Sequence, residues 1–428
     1  MTDKVALVKP PEVSQFNFGA FSLGVLAAAI RHLAQVSILD ATHLSVDEAV
    51  HAVWDMEPDW IGITAMGLTS VKPVAAFIQR LRAAAPDGDA RRRVTLLAGG
   101  HGASMLPAPL LSAGADAVVI GEGEQTLQQI LEHGLCPGAP GVACRVDDQV
   151  LTGPLQPPLY PLDRLSPPAR DLMPPPPDGV HLMETSRGCP HACAFCETTR
   201  FYGQRWRPLS PGRVAAEVER LVDDYDAWII HFADDNFTAN PKRVLEICRP
   251  LQQGPLPAFI MVSARGDDLV ADPRLIPAMA AARILRVTVG VETVEPEMAA
   301  KAGKPISLET YREAFTRMRE HGIFTVASLI VGLPGETPEM RQRAVEMAVE
   351  VGPDSAHFLP FLPLPGVPLA AGRSGFDADP ADIQDACALT EAFFHHSTVR
   401  ARLAKAAANP DVRGMLARAT LGRFAEES

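Results

Sequence analysis

The 428-residue sequence has no long apolar run. Its longest stretches, such as Val25 to Ile30, fall far short of the ~20 residues that cross a bilayer, so no membrane span is expected. Met1-Thr2-Asp3-Lys4 leads directly into a strand-like pattern, and no targeting peptide is visible. Basic residues are in deficit: 39 Lys and Arg against 51 Asp and Glu give a net charge of −12. That argues against nonspecific nucleic-acid binding, while a specific RNA or protein substrate stays open. No GxGxxG follows the first strand pattern, which lowers the case for NAD, and no phosphate-cradling GxxxxGK[ST] occurs. Cysteine is sparse and odd in number, at seven, so a disulfide framework is not expected. A reducing cytoplasm is the expected location.

Against that background one stretch stands out. Gly188-Cys189-Pro190-His191-Ala192-Cys193-Ala194-Phe195-Cys196 carries three cysteines spaced CxxxCxxC. The segment before it, Val180 to Thr185, reads as a strand, so the cysteines sit on a loop beyond a strand's carboxyl end, where α/β folds place their chemistry. Three thiolates on a tight loop suit three corners of an iron–sulfur cube, leaving a fourth iron without a protein ligand. Structural zinc is the rival; it wants four closed ligands, and neither a second CxxC nor good geometry from His191 supplies the fourth. Cys136, Cys144, Cys248 and Cys387 are isolated and read as buried small hydrophobes.

Residues 1–135 alternate apolar strand and amphipathic helix five times, which predicts a flavodoxin-like (Rossmann-like) parallel sheet buried on both faces. Ser22 is the expected cap of its first helix, over Leu23 to Leu33. The strand ends carry Lys9-Pro10-Pro11, Thr64 to Ser70, Gly99-Gly100-His101-Gly102 and Gly121-Glu122-Gly123-Glu124. Glycine there lets backbone approach a large flat ligand. Residues 136–179 are proline-rich, with a small hairpin around Asp147-Asp148, and read as a semi-rigid connector. Residues 180–370 repeat strand and helix six times, which predicts a partial (β/α)6 barrel of the TIM type, open for a large substrate. Residues 371–428 read as a helical tail, with His395-His396 as a solvated helix end. Tyr202, Arg205 and Arg207 either line a cofactor edge or brace the cysteine loop.

The CxxxCxxC spacing, Phe195 directly before the third cysteine and the strand leading in resemble the radical S-adenosylmethionine (SAM) superfamily. The resemblance implies a [4Fe–4S] cluster on Cys189, Cys193 and Cys196, with SAM on the open iron and split to a 5′-deoxyadenosyl radical. It implies SAM contacts at Phe195, at Asp234, Asp235 and Asn236 near the methionine amino group, and at Ser263 and Arg265 near the carboxylate or ribose. It further implies Glu292 at the ribose hydroxyls and Gly332 and Pro334 beside adenine. Strand-end polar residues also cap helices, and Asp235 fits either role.

The ordered set of PP, Gly-Gly and GEGE turns resembles the cobalamin-binding domain that precedes the radical SAM core in one large subgroup. This implies cobalamin contacts at Pro10, Thr64, Met66, Leu68, Thr69, Gly99, Gly100, His101, Gly121, Glu122 and Glu124. No DxHxxG motif is present, which implies cobalt with its own base detached and no histidine beneath it. The Met66–Leu68 loop is the expected surface under cobalt, and His101 a side-chain contact or turn residue. A generic flavodoxin-like domain without its ligand is the plainer alternative.

Together the halves resemble a cobalamin-dependent radical SAM enzyme. The family mostly methylates unactivated carbon, or phosphorus: one SAM methylates cobalt and a second yields the radical. Such C–H bonds have no acid–base route at neutral pH, so a cofactor must carry the step. A small-molecule or natural-product substrate and an external flavodoxin- or ferredoxin-type electron donor are expected. A non-methylating step such as ring closure or rearrangement is the alternative, and a non-enzymatic sensor a third. Methylthiotransfer is disfavoured, because no second three-cysteine set precedes the first.

Overall fold

The computed structural model describes residues 2–11, 19–85, 94–176, 179–254, 256–371 and 377–418. It divides into two compact units, Met1–Pro177 and Asp178–Ser428.

In the first unit, β1 (Lys4–Lys9), β2 (Gln35–Asp40), β3 (Trp60–Thr64), β4 (Thr95–Gly99), β5 (Ala117–Val119), β6 (Val142–Val146) and β7 (Gln149–Thr152) form one sheet in the order β2-β1-β3-β4-β5-β6-β7. The first five are parallel. Val5 to Val8 are buried, and separate apolar clusters lie on the two faces, as continuous apolar strands require. Helix Val46–Asp55 begins with a capping box: Ser45 accepts from the Glu48 N–H, and Glu48 accepts from the Ser45 N–H.

Four expectations change here. The hairpin β6–β7 pairs antiparallel with β5 and so extends this sheet; Val142, Ala143 and Cys144 are apolar enough to bury there. Ser22 is not a cap, because the first helix already starts at Phe21 with no side-chain cap bond. That helix is apolar around most of its girth, and burial rather than capping fixes its start. The helix expected from Met105 to Ala113 is two short ones, His101–Met105 and Pro107–Ser112, broken at Leu106 where Pro107 cannot continue the ladder. Two of the isolated cysteines, Cys136 and Cys387, are exposed rather than buried.

The second unit holds β8 (Val180–Met183), a small antiparallel pair of β9 (Ser186–Arg187) with β10 (Arg207–Pro208), then β11 (Ile229–Phe232), β12 (Phe259–Ala264), β13 (Ile284–Glu292), β14 (Phe324–Val331) and β15 (Ser355–Pro360). Six of these form an all-parallel sheet in the order β15-β14-β13-β12-β11-β8. The intervening helices start where polar caps stand: Ser210, Asn240, Ser307 and Thr337 each accept a backbone N–H three residues on. Helices Pro380–His395, Ser397–Ala407 and Pro410–Arg418 form the tail. Of the expected helical tail over 371–428, residues 419–428 lie outside the described residues. His395 is an exposed helix end, and His396 caps the following helix. Val412 and Met415 join a cluster with Ile229, Phe259, Met261, Phe324 and Val326. Among the described residues no helix is long and apolar enough to cross a membrane.

Candidate functional site

The cysteine loop leaves the sheet through Gly188, whose φ of +79° and whose position against the Arg205 carbonyl exclude a Cβ. The β9–β10 pair closes the base of the loop, so Arg205 and Arg207 brace it. Asp234, at the end of β11, is buried and turned back toward the entering strand. It accepts from the Thr185 N–H at 2.7 Å, the Thr185 hydroxyl, and the Ser186 hydroxyl at 2.6 Å. Arg243 holds the other side of Thr185, donating to its carbonyl and to that of Leu209. The tip is fixed by two backbone bonds: Ala194 N–H to the Ala302 carbonyl at 2.9 Å and Leu369 N–H to the Ala194 carbonyl at 3.0 Å.

All three thiols are free and half-buried. Burial pushes the Cys189 thiol up to about 11 and that of Cys196 upward too, with the neighbouring thiols and Asp235 adding to both. Arg265 donates to the Cys193 sulfur at 3.7 Å while its Nε bonds Asp267 at 2.8 Å. The buried Nε2 of His191 has no hydrogen-bond partner. Asp235 accepts from Thr198 at 2.8 Å, and burial raises its pKa and that of Glu197. Among the described residues no three His, Cys, Asp or Glu side chains are gathered as ligands of a single ion. A donor set of three half-buried thiols on one loop, with an arginine on one sulfur, fits a cluster.

Of the residues expected at SAM, the structure keeps Phe195 and Ser263 partly open and Asp235 exposed, while Arg265 is buried against Cys193. It withdraws others. Asp234 spends both oxygens on Thr185 and Ser186, so it anchors the loop instead of facing a ligand. Asn236 is buried, capping Thr238 and donating to Asp268 at 2.8 Å. Glu292 has a φ of +66° at a register shift in β13, and its carboxylate bonds the buried Lys304 at 2.8 Å. Gly332 clears space for the Asp382 carboxylate of the tail rather than for a ligand. Its N–H donates to Glu336 at 2.6 Å, and Arg341 bonds Glu336 at 2.9 Å and Asp382 at 2.6 Å. Pro334 remains half-exposed in that loop. Lys304 and Asp382 carry no motif in the sequence and were missed.

In the first unit the strand-end loops are bound to one another. The Ala65 N–H donates to the Gly99 carbonyl at 2.7 Å, and Gly102 N–H to the Met66 carbonyl at 3.2 Å. A Cβ on Gly100 would stand 2.6 Å from the Ala65 carbonyl, and one on Gly102 would strike that of Gly67. These two glycines therefore serve loop-to-loop packing, not approach to a ligand. Ser104, unremarked in the sequence, donates to the Gly100 carbonyl at 2.8 Å and accepts from Gly121 N–H at 2.9 Å. Gly121 has open space about it. Met66, 46% exposed, and Thr69 face outward, with Thr64, Gly99, His101 and Glu122 half-buried beside them. Leu68 is 5% exposed, and Pro10 and Glu124 are buried too, so Leu68 belongs to the core and not to a surface under cobalt. Lys9 and Asp40 pair at 3.7 Å on the strand ends. An outward Met66 on a rigid triple loop fits a broad ring ligand.

Two family models match: the radical SAM superfamily over residues 183–348 and the B12 binding domain over residues 13–131. The chain is 28% identical to the anaerobic magnesium-protoporphyrin IX monomethyl ester cyclase of Rubrivivax gelatinosus, over 75% of this chain but only 60% of that one. It is 29% identical to an uncharacterized methyltransferase of Pyrococcus horikoshii, over 86% of this chain and 82% of that one. The radical S-adenosylmethionine methyltransferase TsrM of Kitasatospora setae, solved with cobalamin and a [4Fe-4S] cluster, shares the fold at a TM-score of 0.73 and 20% identity, covering 86% of this chain and 77% of that one. The chain belongs to the cobalamin-dependent radical SAM enzymes.

Proposed function

We propose that this enzyme transfers a methyl group from SAM to an unactivated carbon, or to phosphorus, of a small-molecule substrate. The observation that carries this is the presence in one chain of a three-thiol loop and a cobalamin-type sheet whose strand-end loops are locked together. The cofactors, when bound, supply a carbon radical and a methyl carrier, chemistry that side chains cannot perform. Cys189, Cys193 and Cys196 would hold three irons. Thiols raised by burial lose their protons on metal binding, so loading releases protons and is favoured by higher pH. Arg265 would stabilise the Cys193 thiolate by a charge-assisted bond. Phe195, Ser263, Asp235 and Pro334 would line SAM. Glu292 reaches a ribose only with the oxygen that Lys304 leaves free. Thr64, Met66, Thr69, Gly99, His101, Gly121 and Glu122 would contact cobalamin. The electron would come from an external low-potential donor.

Product mass spectrometry with methyl-deuterated SAM tests the reading: a label of three deuterons in the product is expected. The cyclase of Rubrivivax gelatinosus gives a specific reason to keep ring closure as a second reading. An unlabelled, dehydrogenated or cyclised product would establish it instead. The Cys193→Ala variant is expected to form no 5′-deoxyadenosine; undiminished formation would refute both readings.

A further inference from the structure

Side chains at paired positions of a parallel ladder point to the same face. One cross-strand row of the six-stranded sheet is therefore Leu182, His231, Met261, Arg286 and Phe324, on β8, β11, β12, β13 and β14. Two residues on stand Ser263, Thr288, Val326 and Ser355, and two further on Ser328 beside His357. This is the face opposite the outer helices: Met261 and Val326 share it with Val412 and Met415, which close its lower end. The three rows contain hydroxyls, imidazoles and a guanidinium, and no carboxylate.

Arg286 is partly buried. Among the described residues its hydrogen bond runs from Nη1 to the Met261 sulfur at 3.6 Å, and a thioether is a weak acceptor. Burial lowers its pKa. Arginine nonetheless keeps its proton, and buried charges are ordinarily paired. Burial and then Arg286 push His231 down to about 4 and lower His357 in the same way. Both are thus neutral at pH 7, each keeping one N–H to donate. The buried Ser355 hydroxyl has no partner among the described residues.

We propose that this inner face binds an oxyanion, a carboxylate or phosphate-type group, against Arg286, with Ser263, Thr288 and His357 as further donors. Resting on the methyl-transfer reading, this makes the substrate an acid, with SAM's own carboxylate as the other source of the same chemistry. A bidentate guanidinium contact would neutralise the one unpaired cation in the described part of this chamber.

Isothermal titration of cluster-loaded protein with inorganic phosphate, and separately with acetate, tests this. Saturable binding of at least one is expected, weakened at least tenfold in Arg286→Met. Should that variant fail to load iron, Ser263→Ala/Thr288→Val, which leaves the arginine in place, is expected to weaken binding at least threefold. No saturable binding to the native chain, or unchanged affinity in the variants that load iron, overturns the proposal. Retention of phosphate binding with SAM present assigns the site to the substrate; loss assigns it to the SAM carboxylate. The titration needs neither turnover nor cobalamin, so failure of methyl transfer and failure of this site read out separately.

Discussion

Asp234 and Asp235 are adjacent in sequence and opposite in role. Successive residues leaving a strand point to opposite sides, so one carboxylate turns under the cysteine loop while the other faces outward to Thr198. The spacing of residues in the sequence places both at a strand end and gives no means of telling which turns in. Asp234→Asn removes one acceptor from Thr185 and Ser186 and is expected to cost about 1–3 kcal/mol locally. Iron content after reconstitution should fall by half or more, while Asp235→Asn leaves it near the native value. Equal iron in both variants would refute the anchoring role. Gly188→Ala meets the Arg205 carbonyl at a positive φ, and strongly reduced iron loading is expected of it as well. His231 supplies a pH prediction. Its pKa falls to about 4 in the folded chain from 6.5. A depressed base adds stability above its unfolded pKa that is lost as pH falls toward the folded one. The loss between pH 6.5 and 4 is on the order of 3 kcal/mol. Denaturant midpoints of His231→Gln should therefore fall less steeply over that window than those of the native chain.

At the scale of elements, the order of strands and helices was legible because punctuation is local. Proline at first helical positions, as in Pro211, Pro241 and Pro338, and polar caps before them mark each helix start. What was not legible involves partners far apart in the chain. Gly332 reads as a bare turn until Asp382 arrives beside it, and Glu292 reads as open until Lys304 pairs with it. The hairpin strand β7 is exposed along its length, so nothing in its pattern announces that it edges a sheet. Arg341 binds the loop after β14 to helix Pro380–His395 through Glu336, Asp382 and Asp385. The side chain is about a quarter exposed, so its value lies in geometry more than in stability. Arg341→Met is expected to weaken SAM binding several-fold, measured by equilibrium dialysis, with unaltered iron content. An unchanged SAM affinity would show that the Pro334 loop holds its position without the tail.

For the whole molecule, two sheets of different construction carry two different ligands, and each encloses its own apolar clusters. The triple loop of the first unit is held by bonds internal to residues 64–121. Cobalamin binding should then be independent of the cluster. The triple variant Cys189→Ala/Cys193→Ala/Cys196→Ala is expected to lose iron and 5′-deoxyadenosine formation. Its base-detached cobalamin spectrum and its affinity for cobalamin should stay within about twofold of the native chain, a free-energy change under about 0.5 kcal/mol. Conversely, Ser104→Ala unties Gly121 from Gly100 and should weaken cobalamin binding without touching iron content. Loss of cobalamin in the triple variant would mean that the loop from Thr64 to Ser70 takes its shape from the other unit, and that the interlocked turns alone do not make the corrinoid site.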